Sequence, residues 1–212
     1  MLAFDTPVKV YDKPFRWALI SGVLPEESAT MLRSAFPSNL SHTIRNAGSD
    51  KTYSLHHRLL TAPDGIWTFS TPWSEFVQTV TSWEYRKFIQ EIGQIDMREV
   101  FLEIALNSYS GGGYMSPHTD RWPKLATHVI YLPDRWQADW GGHLHILEGP
   151  DPDPVHRISP AWPTSVLLVR SDNSWHEVER VSAHARLARQ TIQISLWAEQ
   201  PPAPAVGRVM LS

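Results

Sequence analysis

The spacing of apolar positions changes near residue 98 and divides the chain into a helical part and a strand part. Residues 15–24 (FRWALISGVL) read as a strand. Pro25, Glu26 and Glu27 then open a helix whose apolar face carries Ala29, Leu32, Ala35 and Phe36, with Pro37 as its stop. A second helix is predicted from Thr71 as cap and Pro72 at the first position, through Trp73, Phe76, Val77, Val80, Phe88, Ile89 and Ile92, to a stop at Gly93. Residues 38–70, rich in Ser, Thr, His and Asn, predict loop with short strands. After residue 98, short β-branched and aromatic runs separated by Gly, Pro and Asp clusters predict strands at 99–109, 124–132, 142–147, 155–158, 164–170, 175–181 and 189–198.

This order of elements predicts a mainly β protein with flanking helices, an antiparallel sandwich or jelly roll braced on one sheet. Within 99–109, Val100, Leu102, Ile104 and Leu106 share one face, and Phe101, Glu103, Ala105, Asn107 and Tyr109 share the other. The mixed second face is expected to line a cavity. A single domain is expected over 1–212: residues 1–97 brace the sheet, 98–200 form its core, and 201–212 are a Pro-rich tail.

Composition narrows the chemistry. Of 212 residues, 42% are apolar and 19% charged, and the net charge is −3, which gives no electrostatic case for a nucleic-acid partner. With no cysteine, disulfides, zinc fingers, iron–sulfur clusters and thiol nucleophiles are excluded, so any metal must rest on His, Asp or Glu. No signal peptide or membrane-length apolar run is visible, and a cytoplasmic protein without a membrane partner is expected.

The sharpest local feature is His118-Thr119-Asp120. On an extended segment, positions i and i+2 point to one side, and Trp175-His176-Glu177 offers a third donor from another strand. Two imidazoles and one carboxylate on one face of a metal leave three adjacent positions open, the arrangement of non-haem Fe(II) oxygenases. His143 and His145 form a second pair that could mimic a cupin site, although Leu144 and Ile146 fit the pocket-facing parity and push both outward. A cupin-like metal enzyme without redox chemistry and a sugar- or peptide-binding β-sandwich are the competing classes. Gly111-Gly112-Gly113 lacks the helix and lysine of a phosphate loop and reads as a turn, and Gly141-Gly142 reads as a place of close backbone packing.

Segment 109–120 (YSGGGYMSPHTD), then 127–132 (THVIYL), Trp140-Gly141-Gly142 with Leu144, and 171–178 (SDNSWHEV) with Arg189 and Trp197 together resemble the prolyl-hydroxylase-type 2-oxoglutarate/Fe(II) dioxygenases. The resemblance implies a double-stranded β-helix core, iron on His118, Asp120 and His176, and 2-oxoglutarate and O2 as cosubstrates, with ascorbate as a stimulant. It also implies hydroxylation of an aliphatic C–H, with a small-molecule or peptidyl target. The short chain favours a small, amino-acid-like target. Tyr109 and Tyr131 match tyrosines near the cosubstrate, and Leu144 and Val178 match pocket walls.

The resemblance further implies an arginine on the last strand that pairs with the distal carboxylate of 2-oxoglutarate. The family spacing of nine to ten residues after the second histidine favours Arg186, which follows His176 by ten. Arg189 follows it by thirteen but shares face parity with Thr191 and Trp197, so its guanidinium and the Thr191 hydroxyl could hold one carboxylate. Arg189 is the expected partner and Arg186 its competitor. One such arginine makes the charges of Fe(II), Asp120 and 2-oxoglutarate cancel, where an unpaired buried charge would cost several kcal/mol.

Overall fold

The computed structural model describes residues 1–45, 51–60, 70–151 and 153–200; the tail expected from residue 201 and two pieces of the 38–70 segment lie outside these. In chain order the strands are β1 (Val8–Tyr11), β2 (Trp17–Ser21), β3 (Ser41–Arg45), β4 (Tyr53–Leu59), β5 (Phe101–Tyr109), β6 (Tyr114–His118), β7 (Lys124–Tyr131), β8 (Leu144–Ile146), β9 (His156–Ile158), β10 (Thr164–Val169), β11 (His176–Val178) and β12 (Arg189–Trp197). The helices are α1 (Glu26–Ser34), α2 (Thr71–Thr81) and α3 (Trp83–Gly93).

The fold is mainly β, as expected. Its strands form one curled antiparallel sheet in the order β1-β2-β10-β7-β12-β5-β4-β6-β11-β8-β9, with β3 added to β4. Strand β4 pairs with both β5 and β6 and so joins the larger half of the sheet to the smaller. Along β12 the register is continuous on both sides: Thr191 lies opposite Asn107 of β5 and Tyr131 of β7. Alternation then sends Ile192, Ile194 and Leu196 into the core beneath the helices, while Arg189, Thr191 and Gln193 line the cavity of the curled sheet.

The single helix expected over residues 71–93 is two. Ser82 adopts an extended conformation with ψ 162°, ends α2, and caps α3 by accepting from the Tyr85 amide at 3.3 Å. The periodicity survived the break because Trp73, Phe76 and Val80 of α2 and Tyr85, Phe88, Ile89 and Ile92 of α3 all enter the same core. Ser70, rather than Thr71, precedes the first turn of α2, with Pro72 inside it.

One polar chain crosses that core. The fully buried His128 ring has its Nδ1 3.0 Å from the Tyr85 hydroxyl and its Nε2 3.1 Å from Ser165 Oγ. Burial pushes His128 down to about 3, so the ring is neutral. The arrangement is satisfied when Nε2–H donates to Ser165 and the Tyr85 hydroxyl donates to Nδ1.

Candidate metal centre

Strands β6 and β11 pair so that His118 and His176 face each other directly, with ring centroids 4.3 Å apart. Asp120 follows β6 by two residues, and Arg170 Nε holds its backbone carbonyl at 3.3 Å. One donor atom each from His118, Asp120 and His176 lies within 4.8 Å of the others, and all three side chains are buried. Among the described residues this is the one group of three or more His, Asp or Glu meeting that limit.

The hydrogen bonds around the two rings fit a metal. Each histidine has its Nδ1 2.9 Å from the backbone carbonyl two residues before it, Ser116 for His118 and Ser174 for His176. A carbonyl can only accept, so Nδ1 carries the proton and Nε2 keeps its lone pair for a cation. Burial lowers both imidazoles, His118 well below its ordinary value, although Asp120 works against the shift. Burial alone would raise the Asp120 carboxyl, but Lys124 overrides it, with Lys51 adding to the effect, and the group is held well below the usual carboxylate range. At neutral pH the three side chains therefore present two neutral nitrogens and one carboxylate, a donor set suited to a hard or borderline divalent cation.

Asp120 is fixed from both sides. Thr127 Oγ1 donates to Oδ2 at 2.8 Å, and the Lys124 ammonium donates to Oδ1 at 3.0 Å. Each oxygen accepts one bond and retains a lone pair, so coordination is not blocked. Sequence reading missed Lys124 altogether. A buried lysine is rare without a partner, but its partner lies four residues back across an irregular turn, with no helical or strand period to announce it.

The cavity over this centre is lined at one end by Tyr109, Arg189 and Thr191. Arg189 is 2% exposed; its Nε donates to the Gly142 carbonyl at 2.7 Å, and its guanidinium lies 4.9 Å from the Tyr109 ring centre and 5.2 Å from that of Tyr131. The Tyr131 hydroxyl, also fully buried, finds no acceptor among the described residues, and burial pushes it up to about 12. A buried donor left without an acceptor beside a buried guanidinium suits an anionic ligand. Arg186 is exposed in the turn before β12 and does not line the cavity. Gly142 can present its carbonyl because Gly141 and Gly142 hold φ of +62° and +68°, and a Cβ on Gly141 would clash with the Arg180 carbonyl oxygen.

Further along the cavity, Asn107 donates to Gln193 Oε1 at 3.1 Å and accepts from His57 Nδ1 at 2.8 Å. His143 and His145 lie on the other face of β8 from Leu144, engaged with Glu179 and Glu177 at 2.7 and 2.8 Å. Among the described residues, that leaves no cupin-like donor set in the cavity.

Residues 104–198 match the sequence model of the 2OG-Fe(II) oxygenase superfamily. No curated protein sequence matches the chain significantly. Among solved structures, the fold is similar to that of a Pseudomonas putida prolyl-4-hydroxylase, with 18% identity, TM-score 0.61, and coverage of 86% of this chain and 92% of that one. It is similar to a Trichoplax adhaerens prolyl hydroxylase solved with a hypoxia inducible factor peptide fragment, with 15% identity, TM-score 0.58, and coverage of 86% and 83%. EvdO2 from Micromonospora carbonacea var. aurantiaca, solved with 2-oxoglutarate, shows 13% identity, TM-score 0.53, and coverage of 89% and 90%.

Proposed function

We propose that the chain, whose residues 104–198 match the sequence model of the 2OG-Fe(II) oxygenase superfamily, is a 2-oxoglutarate-dependent Fe(II) dioxygenase that hydroxylates an aliphatic C–H of a small, amino-acid-like substrate. The iron ligands in this reading are His118, Asp120 and His176. The observation that carries it is the pair of Nδ1–H bonds to backbone carbonyls, which aim both Nε2 lone pairs at the space beside Asp120. Bound Fe(II) would supply O2 activation: one oxygen atom enters the substrate C–H bond and the other enters succinate as 2-oxoglutarate loses CO2.

The chain's own residues do the positioning. Thr127 and Lys124 hold Asp120 by Oδ2 and Oδ1, and each oxygen keeps a lone pair for the cation. The Arg189 guanidinium, with the hydroxyls of Thr191, Tyr131 and Tyr109, receives the distal carboxylate of 2-oxoglutarate; Gly142 fixes the guanidinium by accepting from its Nε. Leu144, Leu168, Val129 and Val178 form the apolar wall that keeps bulk water from the reacting end. No helix among the described residues is long and apolar enough to cross a membrane.

The test is succinate release from purified protein given Fe(II), ascorbate and 2-oxoglutarate, alone and with a metabolite panel. Release that a substrate accelerates and that His118→Ala abolishes is the expected result. Equal release from the wild type and His118→Ala across the panel overturns the reading.

A further inference from the structure

Most polar groups lining the cavity already have a task. Lys124 and Thr127 are spent on Asp120, and Arg189, Thr191 and Tyr109 form the cosubstrate end. Asn107 of β5 and Gln193 of β12 also line the cavity and belong to neither group. Register puts them between the two: Asn107 lies opposite Thr191, and Gln193 lies midway along β12 between Thr191 and Ser195, which pairs with Thr127 of β7. The neighbours of Gln193 on its two ladders are Ala105 and Val129, whose side chains cannot hydrogen-bond.

The bonds around this pair run in one direction. His57 Nδ1 donates to Asn107 Oδ1 at 2.8 Å, Asn107 Nδ2 donates to Gln193 Oε1 at 3.1 Å, and Gln193 Nε2 donates to Ser195 Oγ at 3.2 Å. Both amide oxygens therefore accept, and each NH2 group has given one of its two hydrogens. No described residue accepts the second hydrogen of either. Asn107 is 5% exposed, so its spare donor is shielded from bulk water and depends on what enters the cavity. Two N–H donors on adjacent strands match the two lone pairs of one carbonyl oxygen. Both donors are uncharged, and Glu103, opposite Ser195 and on the same face of β5 as Asn107, puts a carboxyl rather than a cation on the next rung. A carboxylate held by this pair alone would lack a counter-charge, which favours a neutral carbonyl.

Resting on the oxygenase reading, we propose that Asn107 and Gln193 determine substrate specificity by donating their spare N–H groups to one uncharged carbonyl oxygen of the substrate, that of an amide. The anchor holds the substrate between the cosubstrate end and the rung of Thr127, which carries Asp120. A free amino acid, whose carbonyl belongs to a carboxylate, is the poorer ligand.

The probe is a panel of L-α-amino-acid primary amides and their N-acetyl derivatives, each beside its free acid, titrated calorimetrically under anaerobic conditions into protein loaded with Mn(II) and 2-oxoglutarate. At least one amide binds threefold or more tightly than its acid. Gln193→Met and Asn107→Leu each weaken that amide at least fivefold and leave 2-oxoglutarate affinity within twofold. Gln193→Glu, which keeps the shape and removes the N–H donors, behaves as Gln193→Met and covers the case of a misfolded Asn107→Leu. Amide binding that survives both Gln193 variants, an equal loss of 2-oxoglutarate affinity, acids that bind as tightly as amides, or no binding by any amide overturns the proposal. Binding of 2-oxoglutarate to the Mn(II)-loaded wild type is titrated first: if it occurs while the amide arm fails, only this inference falls, and if it is absent, the oxygenase reading beneath it falls.

Discussion

Replacing Arg189 with methionine isolates the cosubstrate-binding claim. The side chain is 2% exposed, and its guanidinium lies about 5 Å from both tyrosine rings. Truncating one partner of a buried, hydrogen-bonded charge pair costs ~2–5 kcal/mol. Methionine fills much of the volume, and the hydroxyls of Tyr131, Tyr109 and Thr191 remain to hold part of the carboxylate, so the lower half of that range applies. At about 1.4 kcal/mol per decade, ~2–3 kcal/mol raises the KM for 2-oxoglutarate roughly 30- to 140-fold. The assay is initial-rate succinate release against 2-oxoglutarate concentration, with kcat at saturation changing much less than KM. The lost Nε bond to Gly142 is monitored by the melting temperature, which separates local unfolding from lost binding. Arg186→Ala, at an exposed position, is expected to leave KM within twofold. A large rise in Arg186→Ala with none in Arg189→Met refutes the reasoning.

Three further outcomes follow from the structure. Tyr85→Phe leaves His128 Nδ1 buried without a donor and is expected to cost ~1–3 kcal/mol by chemical denaturation, with the KM for 2-oxoglutarate unchanged. Because His128 is held near 3 in the fold and titrates near 6.5 when unfolded, the unfolded chain takes the extra proton, and this stability is lost as pH falls from about 6.5 toward 3. His128→Gln should flatten the stability–pH slope between pH 4 and 6 by up to ~1.4 kcal/mol per pH unit, and an unchanged slope would contradict the buried neutral ring. Gly141→Ala meets the Arg180 carbonyl at a φ that disfavours side chains, and is expected to cost ~2–3 kcal/mol in stability and to raise the KM for 2-oxoglutarate by displacing the Gly142 carbonyl from Arg189; a variant as stable as the wild type would show the turn to be pliant.

The parts of this protein legible in its sequence are those governed by strand alternation. Period two put Arg189, Thr191 and Gln193 on one face of β12 and Asn107 and Tyr109 on one face of β5, and both sets line the cavity. The same rule turned His143 and His145 away from it, where they bond to Glu179 and Glu177. What alternation could not reveal depends on packing between distant elements. The break at Ser82 was hidden because both helices bury apolar faces in one core. Residues 114–118, with Ser, Pro and Gly neighbours, gave no strand period, yet β6 forms because β11 and β4 supply its ladder partners. Lys124 looks like a solvent residue until β7 and β12 bring Trp197 against it and Asp120 within 3.0 Å.

The central claim is that His118, Asp120 and His176 converge on one ferrous ion. Anomalous diffraction at the iron edge, from crystals soaked anaerobically with Fe(II), tests it most directly. A single strong peak within bonding distance of Nε2 of both histidines and an Asp120 oxygen is predicted, and it should vanish in His176→Ala. A peak located instead among His143, His145 and Glu179, or no peak near the three side chains, would contradict the account.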